Sequence, residues 1–239
     1  MSAYMEEVVS EIEKKLDEAA VEEMARRGVL FSHKRARVHP GMQPYISANR
    51  HEVDVLDAES VLHSVARASA FMAELKRNGG VVLCVGTTVP AQERMKRFAE
   101  NAKWPYVTHR WLGGTLTNFT VIRKRIDRYL ELERQNAAGE FKKRTKKEQS
   151  LLADEIGKMK QKFSGLASLT KRPDALFVID VKAHAAALRE AAQGGVPVIA
   201  IVDSDDDPRT VAHPIIANDH AVGAIAWVME RLEADVKGV

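Results

Sequence analysis

Val81-Val82-Leu83-Cys84-Val85, an unbroken apolar run directly after Asn78-Gly79-Gly80, is the strongest structural signal in this chain. Apolar residues without alternation suit a strand covered on both faces, and such strands belong to parallel sheets whose helical crossovers lie on either side. Two later stretches repeat the signal, Pro173-Asp174-Ala175-Leu176-Phe177-Val178-Ile179-Asp180 and Val196-Pro197-Val198-Ile199-Ala200-Ile201-Val202-Asp203. Shorter candidates are Tyr106-Val107-Thr108, Ile215-Ile216, and residues 51–57, where Val53 and Val55 alternate with polar neighbours and which reads as the first strand.

Helical patterns separate these strands. Residues 58–77 place Val61, Leu62, Val65, Ala68, Phe71, Met72 and Leu75 on one broad face. Residues 90–101 and 183–193 follow suit, the latter stopped by Gly194-Gly195, and Asn218 can cap a last helix whose Val222, Ile225, Met229 and Leu232 face inward. At the other end, Met5, Val8, Val9, Ile12 and Leu16 predict a helix over residues 4–27 that Gly28 stops. Strands alternating with helices in this way predict a doubly wound parallel α/β sheet, because such crossovers are right-handed and cover both faces.

The alternation is interrupted between residues 117 and 172. Phe119, Ile122, Ile126 and Tyr129 recur at spacings of three, four and three, and Leu152, Ile156, Met159, Phe163 and Leu166 at four, three, four and three. A single narrow seam on each helix is the signature of a two-helix coiled coil. The turn between them, residues 137–144, is short enough to return only in antiparallel sense, and Thr145-Lys146-Lys147-Glu148 has capping-box spacing. The expected organisation is an acidic N-terminal helix (1–27), an α/β sheet domain (28–116 with 173–239), and a basic antiparallel helical hairpin inserted at 117–172. His109-Arg110-Trp111-Leu112-Gly113-Gly114-Thr115-Leu116-Thr117-Asn118-Phe119 leads into that insertion: Trp111 is a large rigid anchor, the double glycine permits a turn or close approach, and Thr115, Thr117 and Asn118 are candidate N-caps.

At 239 residues and 45% hydrophobic composition the chain can bury a sizeable core. No apolar run approaches the ~20 residues of a membrane span, and the acidic N-terminus lacks a signal-peptide core, so the expected location is cytoplasmic. The single cysteine, Cys84, reads as an apolar filler. The net charge of +3 conceals strong segregation: residues 1–25 carry eight acids and two bases, 26–50 six bases and no acid, 117–172 fifteen bases and seven acids, and 173–239 five bases and eleven acids. Two basic segments in an otherwise neutral or acidic chain point to a polyanionic partner. The first of them, residues 28–49, is punctuated by Pro40, Gly41 and Pro44 and reads as an extended basic loop that mixes Lys34, Arg35 and Arg37 with His33, His39 and Tyr45. Cations with interleaved rings serve phosphates and splayed bases, although Tyr45 equally suits a place on the core.

A nucleotide- or phosphate-binding α/β enzyme is the alternative, since doubly wound sheets hold such ligands at the carboxyl ends of their strands. Val85-Gly86-Thr87-Thr88 is the best phosphate turn, but it lacks both a Walker lysine and a three-glycine fingerprint, so no cofactor is expected. Asp203-Ser204-Asp205-Asp206-Asp207-Pro208 could bind Mg²⁺ or, with Asp180, form a receiver-like acidic pocket, yet such a run more often caps the next element and stays solvated. His33, His39 and His51 are scattered without a cysteine partner, so no metal site is expected, and no catalytic constellation can be argued.

The stretch 109–118, with Thr145-Lys146-Lys147-Glu148 and the blocks 173–180 and 196–203, closely resembles ribosomal protein two of the small subunit in its bacterial and organellar form. The resemblance runs from about Gly28 to the C-terminal helix. It departs at Ser32, where the family usually has Gly, at Gly41, where a Lys is usual, and at His184, which replaces an acid. It implies a flavodoxin-like domain with a coiled-coil insertion, and a non-enzymatic structural constituent of the small ribosomal subunit. The implied partners are small-subunit rRNA and neighbouring small-subunit ribosomal proteins, with no membrane and no small-molecule substrate. The candidate rRNA-binding residues are Lys34, Arg35, Arg37, His39 and Tyr45 of the loop, His109, Arg110, Trp111 and Asn118 of the lead-in, and Arg123, Lys124, Lys142, Lys143, Arg144, Lys146 and Lys147 of the hairpin. Trp111, Tyr45 and His39 can stack on bases or pack against protein.

Overall fold

The computed structural model describes residues 18–50 and 52–237. The order of elements is α1 (Glu18–Arg26), β1 (Phe31–Lys34), two 3-10 turns (Arg35–Arg37 and Pro40–Tyr45), β2 (Ile46–Arg50), β3 (Val53–Leu56), α2 (Ala58–Arg77), β4 (Val82–Val85), α3 (Val89–Ala102) and β5 (Tyr106–Val107). Then come α4 (Phe119–Ala137), a 3-10 turn (Glu140–Lys143), α5 (Lys146–Phe163), a further turn (Ser164–Leu166), β6 (Ala175–Ile179), α6 (Ala185–Gly194), β7 (Val198–Val202), β8 (His213–Ile216) and α7 (Val222–Lys237).

A five-stranded parallel sheet in the order β5-β4-β6-β7-β8 forms the centre of this mixed α/β fold. Every residue of β4, β6 and β7 is buried, so the unbroken apolar runs do mark strands covered on both faces. Helices α2 and α3 each pack on α7, and Trp227 on α7 is fully buried. Cys84 is fully buried too, and burial pushes its thiol pKa up. No helix among the described residues is long and apolar enough to cross a membrane.

Residues 51–57 do not join this sheet, contrary to their reading as its first strand. β3 lies between β1 and β2 in a separate antiparallel sheet, with Glu52 in left-handed conformation (φ 67°) at the β2–β3 turn. A two-residue return forces an antiparallel pair, whereas a parallel neighbour needs a long crossover. The buried face is also the opposite one: Asp54 and Leu56 point inward at 3% and 1% exposure, while Val53 and Val55 are half-buried. Residues 28–49 are likewise more than an extended loop, since they contain β1, both 3-10 turns and most of β2. Of the helix expected over 4–27, residues 18–26 are helical, and the rest lies outside the described residues apart from Arg27. Gly28 follows at φ 76°, where the chain turns out of the helix.

Of the residues expected on the two seams, Ile122, Ile126 and Tyr129 of α4, Ile156 and Phe163 of α5, and Leu166 just beyond it are buried, while Phe119, Leu152 and Met159 are half-buried; Leu132 of α4 is buried as well. The two helices pack against one another. Their near ends belong to the main core, through Ile122, Ile126, Tyr129, Phe163, Leu166 and Leu169. Their far ends close on a small core of their own, Leu132, Phe141 and Ile156. The capping box forms as read: Glu148 N donates to Thr145 Oγ1 at 3.3 Å and Thr145 N to Glu148 Oε2 at 2.9 Å.

Candidate nucleic-acid interface

Three groups of cations emerge from this scaffold. The first lies on β1 and the turn after it. Arg35 and Arg37 are exposed and lack an ion-paired acid among the described residues, while Lys34 meets only the equally exposed Glu52 at 3.9 Å. The turns are held in place from below, because His39 N donates to the Ser204 carbonyl at 2.8 Å and Gly41 N donates to His39 Nδ1 at 3.1 Å. His39 therefore works as the cap of the turn Pro40–Tyr45. Tyr45 packs against the main core. Both rings take the structural side of the alternatives left open by the sequence.

The second group sits where β5 meets the base of the helix pair. Here Lys96, His109, Arg110 and Lys162 line a cleft of about 80 Å³ that has no carboxylate in its wall. Gly165 makes this junction possible: a Cβ on it would stand 2.3 Å from the Tyr106 carbonyl oxygen, so no other residue lets the turn press this closely on β5. Lys96 and Lys162 were not foreseen. Neither stands near Arg110 in sequence, and only the crossing of α3, β5 and α5 assembles them.

The loop behind Arg110 is fixed by a single carboxylate. Glu190, on α6, accepts hydrogen bonds from Trp111 Nε1 (2.9 Å), Gly114 N (2.9 Å), Leu116 N (3.0 Å), Thr117 N (3.3 Å) and Thr117 Oγ1 (3.2 Å). Burial raises the Glu190 pKa, but these donors outweigh it and hold the carboxyl below its ordinary value. Gly114, at φ 89°, turns the backbone so that its amide joins the set. Trp111 packs on the core through its ring and on Glu190 through its nitrogen. Of the proposed caps, Asn118 does occupy the N-cap of α4 but makes no side-chain cap bond, Thr115 Oγ1 bonds the Leu112 carbonyl, and Thr117 belongs to the Glu190 cluster. Glu190 was missed, since a lone acid beside Ala187, Leu188 and Ala191 carries no sequence signal of its role.

The third group is the far end of the helix pair, where Lys142, Lys143, Arg144, Lys146 and Lys147 are all exposed. Lys124 is exposed on α4, whereas Arg123 is turned to protein, donating to Asp127 Oδ1 through Nε (2.9 Å) and to the Leu169 carbonyl through Nη1 (2.8 Å).

The carboxyl ends of the parallel strands carry a different chemistry. Thr87, in the turn weighed as a phosphate site, spends its amide on His184 Nε2 at 3.2 Å, and His184 Nδ1 lies 2.7 Å from the Asp180 carbonyl oxygen. His184 is 2% exposed and bridges the segments that follow β4 and β6. Nor does the 203–207 run stay solvated: Asp203 and Asp206 are buried, and Asp203 accepts from Ser32 Oγ at 2.6 Å and lies 3.1 Å from His33 Nδ1. Burial, then repulsion from the neighbouring carboxylates, pushes Asp219 up to about 9, and burial with the charge of Asp205 brings Asp206 to about 6. His33, read from sequence as an isolated histidine, joins Asp203 and His220 with ligand atoms within 4.8 Å of one another, and Asp180, Asp219 and His220 form a second such group. Both have donors suited to a divalent cation.

The family profile for ribosomal protein S2 matches residues 24–238. The small ribosomal subunit protein uS2 of Thermus thermophilus is 40% identical over 214 residues, covering 90% of this chain and 84% of its own. Those of Coprothermobacter proteolyticus and Fusobacterium nucleatum are 38% and 39% identical, over 89% and 87% of this chain and 79% and 85% of theirs. With the profile spanning nearly all of the described residues, the chain belongs to the ribosomal protein S2 family.

Proposed function

We propose that this protein is a structural constituent of the small ribosomal subunit, working in the cytoplasm, that binds rRNA through its three cation groups and catalyses no reaction. The observation that carries the reading is that Arg35, Arg37, Arg110, Lys142, Lys143, Lys146 and Lys147 have no ion-paired acid among the described residues. Cations left unpaired on a fold that pairs many of its others serve an external anion, and a phosphate backbone is the anion long enough to meet all three groups. In this reading residues 28–116 and 173–239 form a flavodoxin-like, doubly wound domain, and residues 117–172 form an antiparallel coiled-coil hairpin that reaches along the RNA. Neighbouring ribosomal proteins are its further partners. Arg123, His39, Tyr45 and Trp111 support the interface from within, and Lys96 and Lys162 join Arg110 in the junction cleft.

Sedimentation of tagged full-length protein from a lysate tests this. Co-migration with small subunits is expected, whereas a free pool carrying bound nucleotide would favour the enzyme alternative.

A further inference from the structure

A cavity of about 390 Å³ opens between β2 and the two 3-10 turns that precede it, within the range of about 300–1,000 Å³ usual for small-ligand sites. It is lined by aliphatic side chains, Val38, Pro40 and Ile46, and by a buried acid, Asp54, at 3% exposure. Asp54 Oδ1 accepts from Asn49 Nδ2 at 2.6 Å, the one side-chain hydrogen bond it makes among the described residues. An ionised carboxylate has room for about four acceptor bonds, and burying it without donors is costly. The wall also includes Arg35, whose side chain has no acid partner among the described residues. The cavity thus combines an acceptor inside with a cation at an exposed position.

We propose that this cavity takes an unpaired RNA base bearing an amino group, guanine above all, with its donors on Asp54 and its phosphate on Arg35. Guanine presents an imino N–H and an amino group side by side, matching the two oxygens of a carboxylate. Its flat rings fit between aliphatic walls, and its phosphate meets the guanidinium. A lysine or arginine side chain from a partner protein would satisfy Asp54 but would have to enter beside Arg35, with the exposed Arg37 close in sequence and like charge throughout. Uracil offers a single donor between two carbonyls and meets the carboxylate poorly. This inference rests on the RNA-binding reading and adds base recognition to what is otherwise phosphate contact.

The test is fluorescence anisotropy of the full chain with end-labelled uridine nonamers whose central base is uracil, guanine or hypoxanthine, the last lacking the amino group. The central guanine should tighten binding at least about tenfold over all-uridine at the same salt, within what a bidentate base contact provides, and hypoxanthine should lose most of that gain. Asp54→Asn should abolish the preference of guanine over uracil, whatever the removed charge does to the affinity for all three nonamers. Should that variant misfold, the three wild-type affinities still decide the matter. Equal affinity for the three nonamers, a preference that persists in a folded D54N, or displacement by a lysine-rich nonapeptide without base discrimination would each overturn the proposal. Co-sedimentation with small subunits is scored separately: loss of base preference with intact co-sedimentation removes the pocket alone, while failure of wild-type co-sedimentation removes the ribosomal reading.

Discussion

Trp111 Nε1 donates to Glu190 Oε1 at 2.9 Å across 79 residues of sequence, and the same carboxylate gathers the amides of Gly114, Leu116 and Thr117. The lead-in to the helix pair is thereby tied to α6 at one point. Glu190→Gln keeps the shape but turns an N–H₂ group toward donors, so unfolding in urea should show a loss of about 1.5–3 kcal/mol, the worth of hydrogen bonds to a charged group. Trp111→Phe should cost about 1 kcal/mol by losing one donor. Trp111→Ala should cost about 2–3 kcal/mol, less than a fully buried aromatic because the ring is only half-buried. A Trp111→Ala protein with wild-type stability and weakened RNA binding would instead make the ring a stacking platform.

The same carboxylate sets a pH dependence. Glu190 has its folded pKa held below its ordinary value of 4.5, so the stability it contributes is present above that value and is lost as pH falls through the folded one. Stability measured by urea titration from pH 6 downward should fall more steeply in wild type than in Glu190→Gln, with the difference appearing only below about pH 4.5. Parallel pH profiles in the two proteins would remove Glu190 from this role.

The central strands were legible in sequence because burial on both faces writes itself as a continuous apolar run, as at Val82–Val85 and Val198–Val202. The capping box at Thr145 was legible because both partners lie within four residues. What escaped depends on partners remote in sequence. The face of β3 was misread because Val53 and Val55 look like the inward residues, whereas Asp54 is turned inward beneath the 3-10 turns and bonded to Asn49 on the neighbouring strand. His33, Asp203 and His220 converge only because β1 and the ends of β7 and β8 meet. Nothing in an Arg-Glu pair on α6 announces five donors from a distant loop.

Packing decides how much of the α4–α5 helix pair the core can lose. Deleting residues 119–169 would remove Ile122, Ile126, Tyr129, Phe163, Leu166 and Leu169 from the main core and should abolish cooperative unfolding. Deleting residues 132–156 and closing the gap with a short Gly/Ser linker removes only the distal cluster of Leu132, Phe141 and Ile156. That shorter deletion should leave a single cooperative transition. Loss of cooperativity there would mean that the distal helices stabilise the core. Gly165→Ala should destabilise the junction in the full chain, since its Cβ would meet the Tyr106 carbonyl oxygen at 2.3 Å.

The electrostatic mechanism is separable from the stability of the fold because its cations lie outside the core. Lys34, Arg35, Arg37, Lys142, Lys143, Arg144, Lys146 and Lys147 are all exposed. Substituting the first three by Ala in one variant and the other five in a second should leave thermal unfolding within about 0.5 kcal/mol of wild type, as for surface positions generally. Each phosphate contact removed takes roughly 0.7–0.9 from the slope of log affinity against log salt, so the tip variant should flatten that dependence more than the loop variant. Arg110→Ala combined with Lys162→Ala should act as a third lesion in the cleft between them, with a slope change near that of two contacts. Arg123→Ala serves as the contrast: its guanidinium holds the Leu169 carbonyl, so its loss should lower stability and leave the salt slope unchanged. Wild-type affinity with an unchanged slope in the loop, tip and cleft variants together would defeat phosphate neutralisation as the mechanism, even though the chain's place in the ribosomal protein S2 family would stand.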